Sequence, residues 1–178
     1  MQFHNLRSDG AAYRSDVMNL YHSAFPEEEK KPEELIKALV LKNRMELFAI
    51  TESNEWIGLL FTQNAEAGTL LDFFAIRPDL RGKGNGGKAL DLFCRQLSRR
   101  PLILEIEDPD PQADHFSERL RRKQFYLRHG MRETGIHIVL FAVRYELLCS
   151  DPNLTYDHYY RLMEEIHGKE IRKHLHLA

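Results

Sequence analysis

Residues 81–88 are the part of the chain whose residue types most clearly suggest chemistry. They read RGKGNGGK, with four glycines within the six positions 82–87 and a cationic residue at each end. Glycine at this density disfavours helix and strand alike, and it marks backbone that adopts positive φ or lies close to another group. Consecutive backbone N–H groups at the start of a helix bind anions, and nearby cationic side chains add favourable charge. The spacing therefore predicts a phosphate-binding loop.

Two known phosphate-binding motifs fit this loop poorly. Residues 82–87 contain the G-x-G-x-x-G spacing of a dinucleotide-binding fingerprint, and Glu105 or Glu107 lies near its acidic position. In that fingerprint the glycines follow the strand directly, whereas residues 77–81 intervene here. The Walker motif GxxxxGK-S/T is absent. A glycine-rich turn without a ligand is the simplest alternative, although glycines that enter a helix carry a folding cost.

Hydrophobic periodicity predicts the elements that position the loop. Apolar residues at helical spacing indicate helices, and short alternating or apolar runs bounded by turn residues indicate strands. In chain order the predicted elements are helices over 11–25 and after Pro32, strands over 45–52, 56–64 and 69–76, a helix over about 86–99, a strand over 101–107, a helix near 114–128, two strands within 135–149 and a helix over about 155–167.

The order of these elements predicts the fold class. Strands joined by short turns pair antiparallel, whereas strand 69–76, the following helix and strand 101–107 form a parallel crossover. We therefore expect an α/β fold with a mixed, mostly antiparallel central sheet, one parallel βαβ crossover and flanking helices. Because the chain has 178 residues and no linker or repeat, we expect a single domain over residues 1–178.

Composition and charge argue against several functional classes. The net charge of −2 and the pI near 6.5 provide no basic field for nucleic acid or an anionic membrane. No apolar run reaches membrane-spanning length, and the first ten residues contain no signal core. Cys94 and Cys149 form no disulfide framework, so we predict a reducing, cytoplasmic location. The nine histidines show no metal-ligand spacing, so no metal is expected.

The segment AIRPDLRGKGNG at 75–86 resembles the acyl-CoA-binding signature of the GNAT family of N-acetyltransferases. Its R-x-x-G-x-G pattern lies between a predicted strand and a predicted helix, as in that family. The resemblance covers most of residues 46–131, and the order of the predicted elements agrees with it. The last helix of this region ends in FYLRHGM, which is similar to the family's common FYxxxGF.

Three positions depart from the family pattern. Asn85 replaces a residue that is more often apolar, and we expect this to alter helix packing rather than phosphate binding. Arg119 and Arg122 stand where the family commonly has Asn and Ala. An arginine on this helix face either reaches an anionic group of the cofactor or substrate, or belongs to a solvated basic surface.

The resemblance implies acetyl-CoA as the acyl donor. In this fold the fourth and fifth strands splay apart, and the pantetheine arm lies between them. The backbone of Phe74, Ala75 and Ile76, at the end of the matching strand, would pair with the pantetheine amides. The residues that the resemblance assigns to the pyrophosphate are Arg81, Gly82, Lys83, Gly84, Asn85, Gly86 and Gly87.

The resemblance also implies direct transfer of the acetyl group to an amine. Tyr126 lies where the family commonly places a general acid, and a tyrosine pKa of about 10 suits protonation of a thiolate whose thiol has a pKa of about 8.5. A backbone N–H near Ala75 or Ile76 would stabilise the oxyanion. Asp72 and Glu105 are the candidates for general base, directly or through water. The structural alternatives are a half-buried helix tyrosine and carboxylates that only orient the substrate or lie at the surface.

The predicted function is acetyl-CoA-dependent N-acetylation of a primary amine. Residues 25–35 connect the first two helices, where the family shapes its acceptor pocket, but such variable segments do not name the acceptor. Polyamines, amino acids, antibiotics and protein amino groups remain open. The alternative is a non-catalytic acyl-CoA-binding module that acts as a sensor or assembly partner, and a nicotinamide-dependent oxidoreductase would require selective binding of NAD. A homodimer through the final strands or helix is also left open.

Overall fold

A computed structural model describes residues 1–97, 100–108 and 116–178, apart from the side chain of Glu28. The described residues form two compact units. The first unit contains Met1–Asn64 and Leu71–Leu92, and the second contains Ala65–Leu70 and the described part of Phe93–Ala178.

The first unit is built on antiparallel strands. Its elements are β1 (Gln2–Asn5), α1 (Arg14–Ala24), α2 (Glu33–Leu41), β2 (Met45–Glu52), all but the last residue of β3 (Glu55–Ala65), the greater part of β4 (Gly68–Ile76) and the greater part of α3 (Asn85–Gln96). The strands lie in the order β1-β2-β3-β4, and the first three pair antiparallel. Between β2 and β3 the chain turns at Ser53 and Asn54, whose φ values are 49° and 65°. Two consecutive positive φ values produce a tight hairpin turn, which confirms the predicted hairpin.

Tyr21 lies at the centre of the core of the first unit. Helix α1 places Val17, Leu20 and Tyr21 on one buried face, the spacing of an amphipathic helix. The Tyr21 ring packs edge-on against Phe73, with 4.8 Å between centroids, and lies tilted against Phe61 at 5.4 Å. These aromatic contacts fix α1 on β3 and β4.

The second unit contains the parallel strand pair. Its elements are the first residues of β4, the end of α3, β5 (Leu102–Glu107), α4 (Phe116–Arg128), β6 (Arg132–Leu140), β7 (Val143–Cys149), α5 (Tyr156–His167) and β8 (Leu175–Leu177). The strands lie in the order β4-β5-β7-β6-β8. β4 and β5 pair in parallel through Thr69 with Leu102 and Leu70 with Ile103, whereas the remaining pairs are antiparallel. The predicted crossover is therefore confirmed.

Helix α5 supplies much of the core of the second unit. Its buried residues are Tyr159, Leu162, Met163 and Ile166. The helix begins after Thr155, whose side-chain oxygen accepts a hydrogen bond from the His158 N–H at 3.3 Å. It ends at Gly168, where a φ of 81° turns the chain away.

The mixed α/β fold class expected from the sequence is confirmed, and so are the predicted helices and strands within the described residues. The predicted helix over about 86–99 ends earlier, at Gln96, and the predicted helix start near 114 lies outside the described residues. Two strands were not predicted, β1 and β8, because four and three residues are too few to show a periodicity. Among the described residues, no helix combines the length and the apolar character needed to cross a bilayer.

Gly58 allows β3 to approach β4 closely. A Cβ at Gly58 would lie 2.4 Å from the carbonyl oxygen of Ala75, which is far inside van der Waals contact. Gly58→Ala should therefore lower the free energy of unfolding by about 1–3 kcal/mol in urea denaturation. Gly68→Ala is the matched control and should cost less, because the nearest atom would be 3.1 Å away. Wild-type stability of Gly58→Ala would contradict this packing.

Candidate active site

The predicted phosphate loop lies between the end of β4 and the start of α3. A 3₁₀ turn at Pro78–Leu80 leads into the loop, and α3 begins at Asn85. Gly82 and Gly84 have φ values of 74° and 81°, in the left-handed region that favours glycine. No described atom lies within 4 Å of a Cβ built at either position. Glycine is therefore required there by the backbone conformation and not by crowding.

Backbone N–H groups without partners occupy the start of α3. In the described part of the chain, the N–H groups of residues 84–87 donate no hydrogen bond to another residue. The next donor along the helix, the N–H of Lys88, bonds Gly84 O at 3.1 Å. Free N–H groups at a helix start, together with the helix dipole, form an anion-binding site. The loop thus has the chemistry expected of a pyrophosphate site.

Polar side chains of the loop bond its own backbone carbonyl groups. Arg81 Nε donates to the Ile76 carbonyl at 2.9 Å, which ties the loop to the end of β4. Asn85 Nδ2 donates to the Leu80 carbonyl at 3.1 Å, and this bond gives the departure from the family pattern a structural role. The ammonium of Lys83 lies 3.1 Å from a carbonyl oxygen of the preceding turn. All three side chains therefore help to fix the shape of the loop, and Arg81 and Lys83 also add positive charge.

Arg77, which sequence reasoning missed, fixes the end of β4 to the start of β3. Its backbone N–H donates to Ile57 O at 2.9 Å, and its Nη1 donates to Trp56 O at 2.7 Å. Its guanidinium lies 5.5 Å from the centroid of the Trp56 ring and pairs with Asp79 at 2.7 Å. A signal was available in the sequence, because a planar group with five donors stands directly before the turn-forming Pro-Asp pair.

The predicted site residues divide between the two units. The first unit contains Asp72, residues 74–76 and residues 81–87, whereas the second contains Glu105 and Tyr126. Within the described ranges, no group of metal-ligating side chains accompanies either set.

Asp72 is held by a lysine of the first unit. Its Oδ1 accepts a hydrogen bond from Lys31 Nζ at 2.8 Å, and its side chain is only 6% exposed. Its Oδ2 has no hydrogen-bond partner among the residues that the structure describes. One oxygen of the carboxylate is therefore engaged by Lys31, and the other is a buried acceptor that no described residue uses.

Tyr21 fixes the backbone that carries Lys31. Its hydroxyl donates to Lys31 O at 3.2 Å and accepts from the Lys31 N–H at 2.8 Å. Burial raises the pKa of Tyr21 to about 12, and the negative charge of Asp72 acts in the same direction. The hydroxyl therefore keeps its proton, and both hydrogen bonds, well above neutral pH.

Tyr126 lies on α4 with its side chain almost fully buried. Burial raises the pKa of its hydroxyl, although the charge of Arg122 opposes the shift. No residue in the described parts of the chain forms a hydrogen bond with that hydroxyl. Tyr126 is thus protonated at neutral pH and keeps an uncommitted donor.

Glu105 lies on β5 and accepts a hydrogen bond from a buried tyrosine of α5. The Tyr159 hydroxyl donates to Glu105 Oε1 at 2.5 Å. Burial, and then the charge of Glu105, raise the pKa of Tyr159 well above its ordinary value, so the tyrosine remains the donor. Glu107, two residues further along β5, instead pairs with Arg119 of α4 at 2.7 Å. Arg119 is therefore bound to a carboxylate and is not simply solvated.

Sequence reasoning also missed a buried ion pair in the second unit. Glu146 of β7 has a side chain that is 5% exposed, and its two oxygens accept hydrogen bonds from Lys123 Nζ at 2.9 and 2.7 Å. Glu133 lies 2.5 Å from the same ammonium. Burial alone would lower the pKa of Lys123, but the bonds to the two carboxylates outweigh it and raise the pKa. Lys123 lies three residues before Tyr126, so this pair attaches the helix that carries Tyr126.

Comparison with known proteins identifies the family. Residues 14–121, more than half of the chain, match the profile of the Acetyltransferase (GNAT) family. The chain therefore belongs to the GNAT acetyltransferase family. A search of curated proteins gave no match.

Solved structures share the fold. A protein from Bacteroides thetaiotaomicron described as a GNAT-family acetyltransferase has a TM-score of 0.74 at 23% identity, covering 94% of this chain and 99% of its own. An aminoglycoside 6'-N-acetyltransferase complexed with coenzyme A has a TM-score of 0.61 at 13% identity, covering 87% and 100%. A GNAT family acetyltransferase from Elizabethkingia anophelis with acetyl-CoA bound has a TM-score of 0.52 at 16% identity, covering 67% and 83%. At these identities the likeness establishes the fold.

Tyr21→Phe should lower stability in a pH-dependent way. Loss of the hydroxyl leaves the Lys31 N–H and carbonyl without their partner, which costs about 1–3 kcal/mol at neutral pH. Because the folded pKa is raised from 10.0 to about 12, the contribution of Tyr21 is complete below pH 10 and disappears as the pH rises through about 12. Urea denaturation of both proteins should show the stability difference shrinking over that interval.

Tyr13→Phe is the matched control for this comparison. Tyr13 is half-buried in the same unit, so the substitution should change stability by less than about 0.5 kcal/mol. A Tyr21→Phe variant as stable as the wild type would contradict the role given to the hydroxyl.

Proposed function

We propose that this chain is an acetyl-CoA-dependent N-acetyltransferase that transfers the acetyl group directly to a primary amine. The observation that carries the proposal is the row of free N–H groups at residues 84–87, which suits the pyrophosphate of acyl-CoA. Membership of the GNAT family and structures of the same fold with CoA or acetyl-CoA bound support the donor. Residues 1–178 are proposed to act as one GNAT-type domain, since β4 and α3 each continue from one unit into the other.

In this proposal the backbone provides most of the cofactor contacts. The loop from Arg81 to Gly87 binds the pyrophosphate, and the backbone of residues 74–76 pairs with the pantetheine amides. Arg77 and Arg81 hold the strand end and the loop in place before the cofactor arrives, which reduces the cost of ordering them on binding. A backbone N–H within residues 74–76 would stabilise the oxyanion.

Tyr126 is proposed as the general acid. The neutral amine nitrogen attacks the thioester carbonyl, the carbon–sulfur bond breaks as the amide forms, and the departing thiolate takes the hydroxyl proton. The proton that the nitrogen loses on becoming an amide then restores the tyrosine. A buried phenol with a raised pKa holds its proton at neutral pH, so it is in the correct protonation state for this step. No described residue bonds its hydroxyl, so in this proposal the proton is available to the sulfur as negative charge develops there.

Asp72 is the better supported of the two candidates for general base. One of its oxygens lacks a partner, whereas Glu105 accepts a short hydrogen bond from Tyr159. Glu105 acting through water remains the second candidate. Either carboxylate would accept the proton that the acceptor ammonium must lose before its nitrogen can attack.

A non-catalytic acyl-CoA-binding module is the alternative function. The observation that favours it is the hydrogen bond between Lys31 and Asp72, which engages one oxygen of the carboxylate that catalysis would use. Both functions require the phosphate loop, but only catalysis requires the hydroxyl of Tyr126.

Acetyl-CoA and CoA should stabilise the chain in a thermal-shift assay, and NAD should not. At 100 times Kd the gain in the free energy of unfolding is about 2.7 kcal/mol, which is easily resolved. Gly84→Glu should abolish the response, because it places a carboxylate in the anion site. Gly168→Glu is the matched control, since its φ is also 81° with open space around it, but it lies at the end of α5. A folded, ligand-free protein that responds to neither CoA compound would contradict the proposal.

Tyr126→Phe should retain cofactor binding and lose turnover. Removal of a general acid lowers kcat by about 10²- to 10⁴-fold, while the thermal shift with acetyl-CoA should stay close to that of the wild type. Steady-state kinetics with an amine found in a library screen provides the measurement, with Tyr160→Phe on α5 as the control. An unchanged kcat would place the acid elsewhere, and a wild type that acetylates no amine would favour the non-catalytic module.

A further inference from the structure

The ammonium of Lys31 occupies a small cation site in the first unit. Its Nζ lies 2.8 Å from Asp72 Oδ1 and 5.3 Å from the centroid of the Phe73 ring. A carboxylate beside the face of an aromatic ring attracts a primary ammonium group through both a charge-assisted hydrogen bond and a cation–π contact. The chemistry of Asp72 and Phe73 therefore suits a primary ammonium group, and Lys31 supplies one.

The carboxylate of this cation site has an unused acceptor. Asp72 is 6% exposed, and its Oδ2 is buried without a hydrogen-bond partner in the described part of the chain. An ionised carboxylate accepts several hydrogen bonds, and a buried oxygen that accepts none carries an energetic cost. The side chain of Lys31 is 23% exposed, so part of the occupant itself is in contact with solvent. The site can therefore accept a donor that its present occupant does not supply.

The side chain of Lys31 can leave the cation site without disturbing the backbone that carries it. Both hydrogen bonds that fix this residue to Tyr21 involve its backbone N–H and carbonyl. Among the described residues, Asp72 is the polar partner of Nζ, and no second one accompanies it. Rotation about the four-carbon stem is therefore enough to move the ammonium into solvent, where water replaces the carboxylate.

We propose that Lys31 is a resident occupant of the acceptor site, which the primary ammonium of the acceptor displaces from Asp72. This inference rests on the proposed amine acetylation, and it deepens it by naming the acceptor as a primary ammonium on an unbranched methylene chain, the chemistry of the occupant itself. Lys31 competes with the acceptor and thereby sets its affinity. After displacement, both oxygens of Asp72 face the incoming ammonium, and the second oxygen gains the partner that it lacks.

The direct test uses Lys31→Ala, which removes the occupant and leaves Asp72 in place. Thermal unfolding is followed with propylammonium chloride and with tetramethylammonium chloride at equal ionic strength, without acetyl-CoA. Tetramethylammonium carries the same charge but has no N–H to donate. Propylammonium should raise the melting temperature of Lys31→Ala by about 3 °C or more beyond its effect on the wild type, because it refills the empty site. An equal effect of propylammonium on the two proteins would overturn the proposal.

Two further variants locate the effect. In Lys31→Ala/Asp72→Asn the response specific to propylammonium should vanish, because the carboxylate is gone. Lys37→Ala removes an exposed lysine that pairs with Glu34 on α2, so it makes the same change in net charge and should respond as the wild type does. A response that persists without the Asp72 carboxylate, or that appears equally in Lys37→Ala, would contradict the assignment.

A measurement on the wild type covers the case in which Lys31→Ala does not fold. The ¹H–¹⁵N signal of the Lys31 ammonium should be visible while Asp72 protects it from exchange with water. Titration with propylammonium should remove that signal or move it towards that of a solvated lysine, and tetramethylammonium should leave it in place. A signal unaffected by saturating propylammonium would overturn the proposal.

Kinetics separates this inference from the proposed function. Once an acceptor is known, Lys31→Ala should lower its KM by about tenfold, since a competing cation has been removed, whereas a purely structural lysine would raise or preserve KM. If propylammonium refills the site of a protein that acetylates no amine, the result supports the cation site and contradicts the transferase proposal. Acetyl transfer to an amine without refilling of the site by propylammonium would support the transferase proposal and contradict the cation site.

Discussion

Free backbone N–H groups at the start of α3 are the constraint on which the local structure of the first unit depends. The first N–H groups of a helix need acceptors, and where the chain supplies none they bond water or a ligand. Here no described residue supplies one. Gly82 and Gly84 adopt left-handed φ values that no other residue tolerates as well. The side chains of Arg81 and Asn85 bond two backbone carbonyl groups and so hold the loop in this conformation. Arg77 secures the strand end from which the loop departs. The loop therefore leaves the N–H groups of residues 84–87 to water or to a ligand, since no described residue accepts from them.

Buried and partly buried carboxylates show how the same chain controls charge. The pairs are Asp72 with Lys31, Glu105 with Tyr159, and Glu146 with Lys123. Removing an ion from water costs several kcal/mol unless a partner compensates it, and the kind of partner determines what remains possible. A tyrosine donates one hydrogen bond and leaves the negative charge, whereas a lysine neutralises it. Lys123 bonds both oxygens of its carboxylate, and this pairing serves to hold α4. Lys31 bonds only one, so the second oxygen of Asp72 has no partner among the described residues.

The elements that could be predicted from the sequence are those that a local residue pattern determines. The polar turn at residues 53–54 separated two apolar runs, and the glycines at 82–87 had no role within a helix or strand, so hairpin and loop were both predictable. Strand β8 has three residues and no period to detect. Strand alternation assigns Glu146 to a polar face, and only its distant partner explains its burial. Lys31 and Asp72 are 41 residues apart, so their contact depends on packing that no local pattern encodes.

The central claim is that the N–H groups of residues 84–87 bind the pyrophosphate of acetyl-CoA. Amide ¹H–¹⁵N NMR tests it most directly, with one titration of acetyl-CoA and one of acetyl-pantetheine, which lacks the pyrophosphate. Hydrogen bonding to phosphate oxygens predicts downfield shifts of the Gly84, Gly86 and Gly87 amide protons with acetyl-CoA and little change with acetyl-pantetheine. Unchanged amide signals at saturating acetyl-CoA, or equal shifts with the two ligands, would contradict the claim.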